Sequence, residues 1–105
     1  MTEQDYINKL NKYEASFMKK KRELSAKYAL EHRIASIGDV LTSKRANIKV
    51  TKYSMNYTDK RVPYLAYIGV ILKKDGNPRK DCEKILIYPH EVMTVNGEEV
   101  DHGQD

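Results

Sequence analysis

The sequence predicts an α+β chain that is mainly β. A long N-terminal helix over residues 1–36 packs on a small five-stranded antiparallel β-barrel over 37–97, and an acidic tail follows at 98–105. Two observations carry this expectation. Before Ile37-Gly38-Asp39 the apolar residues recur at helical spacing with neither Gly nor Pro among them; beyond it they recur at strand spacing between turn signals. At 105 residues the chain has room for one modest core and not for a second.

Thr2 followed by Asp5 is a capping-box start, and the helical pattern runs to about Arg33. Tyr6, Leu10, Tyr13 and Phe17 follow one another at spacings of four, three and four, which places them on one face. Leu24 and Tyr28 continue that face beyond Lys20 and Lys21. A helix of about 31 residues is roughly 45 Å long, more than the width of so small a barrel, so part of it projects. A projecting amphipathic helix needs a partner, either a second copy of itself in a homodimer or another protein. The alternative is a bend near Met18 to Arg22 that folds the helix back on its own domain. The run Lys19-Lys20-Lys21-Arg22 spreads around a full turn and reads as a solvated face, with Glu14, Glu23 and Lys27 for exposed pairing.

The first strand is Asp39 to Ser43. Lys44-Arg45-Ala46-Asn47 leads into a second strand whose inward set is Ile48 and Val50 at first, and Tyr53, Met55 and Tyr57 further on. The change from even to odd positions near Thr51 requires a bulge or a sharp twist. After the turn Thr58-Asp59-Lys60-Arg61, a third strand runs from Pro63 to about Lys73 and is apolar on both faces, Leu65, Tyr67 and Ile71 on one, Ala66, Ile68, Val70 and Leu72 on the other. One face belongs to the barrel interior and the helix covers the other. Asp75-Gly76 is a hairpin turn, with Pro78 ending the pairing. Ile85 to Tyr88 forms the fourth strand, Pro89-His90-Glu91 a single helical turn, and Val92 to Val95 the fifth strand, stopping at Asn96-Gly97. The residues from Glu98 are expected to fray. Gly69 marks a close backbone approach or a barrel corner.

Five short strands with a helical turn just before the last resemble a Src-homology-3-like barrel. The segments Lys27-Tyr28-Ala29-Leu30-Glu31, Ile37-Gly38-Asp39, Ile48-Lys49-Val50 and Tyr67-Ile68-Gly69, with Leu72-Lys73-Lys74-Asp75-Gly76-Asn77-Pro78-Arg79-Lys80, are similar to small uncharacterised bacterial proteins of phages and mobile elements. That resemblance implies a genomic context and no agreed activity.

The formal net charge of +4 hides an uneven distribution. From Lys44 to Lys84 there are eleven Lys or Arg against Asp59, Asp75, Asp81 and Glu83, a local net of +7. From Ile85 onward there is no Lys or Arg, and five carboxylates give −5. No apolar run approaches the roughly 20 residues that span a bilayer, so no membrane partner is expected. The acidic first residues lack a secretory layout, and the lone Cys82 has no partner for an intrachain disulfide, so a cytoplasmic location is expected.

Signals for catalysis are poor. His32, His90 and His102 are scattered without metal-ligand spacing, nothing marks a base beside Cys82, and there is no glycine-rich phosphate loop. No enzyme activity, metal or cofactor is expected. Two binding functions remain. In the first, DNA or RNA is held by Lys44, Arg45, Lys49, Lys52, Lys60, Arg61, Lys73, Lys74, Arg79 and Lys80, with Tyr53, Tyr57 or Tyr64 stacking on bases. In the second, the chain is an adaptor that dimerises or docks through its helix. What discriminates them is whether the basic positions converge on one face.

Overall fold

A computed structural model describes residues 1–101. The end of the expected acidic tail, residues 102–105, lies outside the described residues. Helix α1 spans Glu3–Glu31. The Thr2 hydroxyl accepts from the Asp5 amide at 3.1 Å and the Asp5 carboxylate accepts from the Thr2 amide at 3.0 Å, which satisfies two otherwise unpaired groups of the first turn. The helix is unbroken and does not fold back on its own domain, the alternative considered for a bend near Met18. It ends two residues short of the expected Arg33. There the chain turns so that the Ile34 amide donates to the Tyr67 hydroxyl at 2.9 Å and Ala35 enters the core.

The strands are β1 (Val40–Ser43), β2 (Ile48–Tyr57), β3 (Pro63–Ile71), β4 (Lys84–Ile87), β5 (Val92–Val95) and β6 (Glu98–Glu99), with a 3-10 turn at Pro89–Glu91. They form one antiparallel sheet of six strands in the order β4-β3-β2-β1-β5-β6. The expected closed five-stranded barrel is therefore corrected to an open sheet, edged by β4 and β6. The sixth strand comes from residues expected to fray. Asn96 and Gly97 take φ of 51° and 89°, both positive as a two-residue hairpin turn demands, and so carry the chain back into pairing as Thr94↔Glu99 and Val95↔Glu98.

The expected bulge is present. The β2–β3 register slips between Val50 and Lys52, so Val50 faces Gly69 while Lys52 faces Ile68. Before the slip Ile48 and Val50 point into the core; after it Tyr53 does, meeting Tyr67 edge-on at 6.0 Å. Bulges increase local twist, and this one lets a ten-residue strand curl around the core. The β3–β4 connection turns at Asp75-Gly76 as expected, but pairing passes beyond Pro78. Leu72 bridges Pro78, and the Arg79 amide donates to the Ile71 carbonyl at 3.0 Å. A proline lacks only its own N–H and leaves its neighbour's available.

The core gathers Ala29, Ala35, Leu41, Ile48, Val50, Leu65, Tyr67, Ile87 and Val92. Ala29 of the helix thus joins the same face of β3 as Leu65 and Tyr67. The expectation that α1 covers the opposite face is overturned: an open sheet leaves its concave side unfilled, and the end of the helix fills it. Within α1 only Ser25 and Ala29 are less than exposed. The helix before Met18 projects, and the radius of gyration of 19.2 Å compares with the ~13 Å of a compact chain of this length.

Candidate nucleic-acid interface

With the helix on the concave side, the convex side of the sheet carries the even positions of β3. Cross-strand register places Val40, Lys49, Val70 and Lys84 in one row and Lys52, Ile68 and Leu86 in the next. Lys49, Lys52 and Lys84 are all exposed, and β1 to β4 contain no Asp or Glu. Among the described residues none of these three lysines has an ion pair. Neighbouring strands lie about 4.8 Å apart, so Lys49 and Lys84, separated by β3, stand roughly 10 Å from each other. Partly buried Ile68, Val70 and Leu86 fill the space between them.

Lys73, Lys74, Arg79 and Lys80 extend this zone along the β3–β4 connection, all exposed. Lys73 meets Asp75 at 3.6 Å and Arg79 meets Glu83 at 3.7 Å. Exposed pairs that long contribute little, so both cations stay open to an anion.

Arg45 is committed elsewhere. Its Nε and Nη2 donate to the two carboxylate oxygens of Glu91 at 2.7 and 2.9 Å, and Nη2 also donates to the Leu86 carbonyl at 2.6 Å on the free edge of β4. Glu91 in turn accepts from the Tyr88 amide at 2.8 Å. One side chain therefore ties the β1–β2 connection to β4 and to the 3-10 turn. The Arg45 hydrogen bond, then that of the Tyr88 amide, holds the Glu91 carboxyl below its ordinary range. A depressed carboxyl stabilises the fold fully above its unfolded pKa and loses that contribution as pH falls through the folded value. Thermal melts should therefore decline on acidification below the ordinary carboxylate range, whereas a Glu91→Gln variant should start lower and decline less. His90 of this turn is exposed, and its ring stacks with Tyr88 at 5.9 Å. Lys44 lines a neighbouring cleft with Arg45, His90 and Met93.

Lys60 and Arg61 are remote from this zone. They lie at the tip of the β2–β3 hairpin, some eight residues or roughly 26 Å along β2 from Lys49. There Arg61 and Tyr57 meet Lys21, Arg22 and Ser25 of the helix around a cleft of about 380 Å³. Lys21 and Arg22, read from the sequence as part of a solvated face, thus share a second basic zone. The ten expected cations converge in part: Lys49 and Lys52 share the convex face, Lys73, Lys74, Arg79 and Lys80 follow on the adjoining β3–β4 connection, Lys60 and Arg61 are at the hairpin tip, and Lys44 and Arg45 are beside the 3-10 turn. Lys84 was missed as a site residue, although the alternation of Lys84 and Leu86 with Ile85 and Ile87 signals its outward direction.

The tyrosines do not supply a stacking platform on the lysine face. Tyr53 is partly buried against Tyr67, and Tyr57 lies on the helix side of the sheet. Of the three candidates, only Tyr64, partly buried beside Asn56, shares the convex face. Among the described residues no three metal-ligating side chains cluster, and no helix is long and apolar enough to cross a membrane. No family model matches the chain, and neither a curated protein nor a solved structure is similar to it.

Proposed function

We propose that the chain is a non-enzymatic, intracellular binding module that holds nucleic acid by its phosphate backbone across the convex face of the sheet. The observation that supports this most is the register that brings Lys49 and Lys52 of β2 and Lys84 of β4 to one face, across β3, in a sheet whose first four strands carry no carboxylate. Lys74 and Lys80 lengthen the track, and Lys73 and Arg79 join it at the expense of weak pairs. Contacts of this type fix a protein on phosphates and carry no sequence information. With no exposed aromatic platform on that face, the module gains nothing from unstacked bases, so duplex is bound at least as well as single strands.

The test is a salt series with duplex DNA, duplex RNA and single strands of equal length. The logarithm of affinity should fall linearly with that of salt, and the triple substitution Lys49→Gln, Lys52→Gln, Lys84→Gln should flatten the slope by about two to three. Each lysine is exposed on a strand, so the variant keeps its fold. An unchanged slope and affinity in the triple variant would remove the convex face from any role in binding.

A further inference from the structure

The least explained surface of the molecule is the front of the helix. Docking uses Ser25 and Ala29, and at 100° per residue Met18 and Arg22 lie on that same side. Tyr6, Leu10, Tyr13, Phe17 and Leu24 form a separate stripe centred about 120° further round. Among the described residues nothing covers the stripe from Tyr6 to Phe17: Tyr6, Tyr13 and Phe17 are 58%, 67% and 65% exposed, and Leu24, at 70%, borders a cleft with Val62 and Pro63 of the β2–β3 hairpin. The spacing of four, three and four is that of the buried seam of a coiled coil. The seam continues into charge on both sides, with Glu3 one step before Tyr6 and Lys20 one step after Phe17, and Leu24 and Lys27 at the two steps beyond.

We propose that α1 pairs antiparallel with α1 of a second copy of this chain, with Leu10 of each set against Tyr13 of the other. This register is self-complementary. It sets Tyr6 against Phe17 and, one layer further out at both ends, Glu3 against Lys20. The acidic first turn, Glu3 and Asp5, then lies along the basic run Lys19 to Arg22 of the second copy. A parallel pair does the reverse, facing Lys20 and Lys27 with their own copies and crowding two basic runs together. Geometry agrees, because each sheet meets the helix from Met18 onward, where Leu24 borders the β2–β3 hairpin, and leaves Tyr6 to Phe17 clear, so the antiparallel arrangement carries the two sheets to opposite ends. The pairing does not rest on the nucleic-acid function. It does arrange two lysine faces on one particle.

The test uses full-length protein in a Cys82→Ser background. Sedimentation across roughly 1 µM to 1 mM should show one chain passing to two. Tyr13→Glu, which places a charge in the central layers, should raise the dissociation constant at least roughly 100-fold. Tyr13 touches neither the sheet nor the docking face, so sheet folding stays intact. Glu3→Lys alone and Lys20→Glu alone should each weaken pairing, and the two together should restore it. Mixing Glu3→Cys chains with Lys20→Cys chains should yield disulfides between unlike chains. A single chain at every concentration, a dimer indifferent to Tyr13→Glu, or disulfides only between like chains would each overturn the proposal.

Discussion

Gly69→Ala is expected to destabilise the fold by on the order of 3 kcal/mol or more, a large fraction of the total stability of so small a domain. A Cβ at this position would stand 2.3 Å from the Lys49 carbonyl oxygen and 2.8 Å from its carbon, with Ile48 Cδ1 at 3.0 Å. The two nearest atoms are backbone on the paired strand, so relief requires β2 to move away from β3. Those strands make the longest pairing in the sheet, and Gly69 sits opposite Val50 where the register slips. The close approach belongs to the bulge itself: β2 curls inward there, and its main chain presses on β3. Gly76→Ala is the control. Its Cβ meets nothing within 4 Å and its cost comes only from φ of +88° at an exposed turn, so about 1 kcal/mol is expected. Urea unfolding of the two variants measures the difference. Equal midpoints would mean that β2 gives way freely at the bulge.

The bulge and the glycine were legible in the sequence because each leaves a local mark. An apolar set that moves from even to odd positions at Thr51 needs a bulge or a sharp twist within one strand, and a glycine inside an apolar strand has few purposes besides room. The Thr2–Asp5 cap is local in the same sense. What escaped depends on partners far along the chain. That β3 is apolar on both faces says something covers each, but not which face receives the helix. The answer lies in Ala29 and in the Tyr67 hydroxyl that meets Ile34, residues more than thirty positions apart. A barrel was expected because a curled strand is common to closed and open sheets, and closure depends on whether edge strands meet. Here Arg45 reaches the edge of β4 with a side chain and no ladder forms. Asn96-Gly97 did carry a hairpin signal, but the strand after it is two acidic residues long, too short and too polar to show a strand period. The basic surface was counted by charge along the chain. Only cross-strand register could separate Lys49, Lys52 and Lys84 from Lys60 and Arg61.

Tyr67 is where helix, linker and sheet meet, and its substitutions should separate two kinds of stabilisation. The ring is 1% exposed, packs edge-on against Tyr53, and shares the core with Ala29, Leu65 and Ile87. Tyr67→Ala should cost about 3 to 5 kcal/mol through lost burial and the cavity left behind. Tyr67→Phe keeps the ring but strands the Ile34 amide, which donates to the hydroxyl at 2.9 Å, and should cost about 1 to 3 kcal/mol. The loss should fall on the segment after the helix. Amide exchange at Ile34 and Ala35 should therefore accelerate more than exchange within β3, because the sheet's own ladder is untouched. Alkaline pH gives an independent check. Burial pushes the Tyr67 hydroxyl above the ordinary tyrosine value, outweighing the backbone donors from Ile34 and Ala35 that favour the phenolate. A tyrosine whose folded pKa is raised keeps its proton in the native state after the unfolded chain has released its own. The native state then binds more protons than the unfolded one, so stability is complete below the unfolded pKa and falls as pH rises from there towards the folded value. The gap in stability between wild type and Tyr67→Phe should accordingly narrow above the ordinary tyrosine pKa, since the phenylalanine has no proton to lose. A gap that stays constant through that range would show that the hydroxyl ionises in the folded protein as it does in water, and that the end of the helix is not sealed on the sheet.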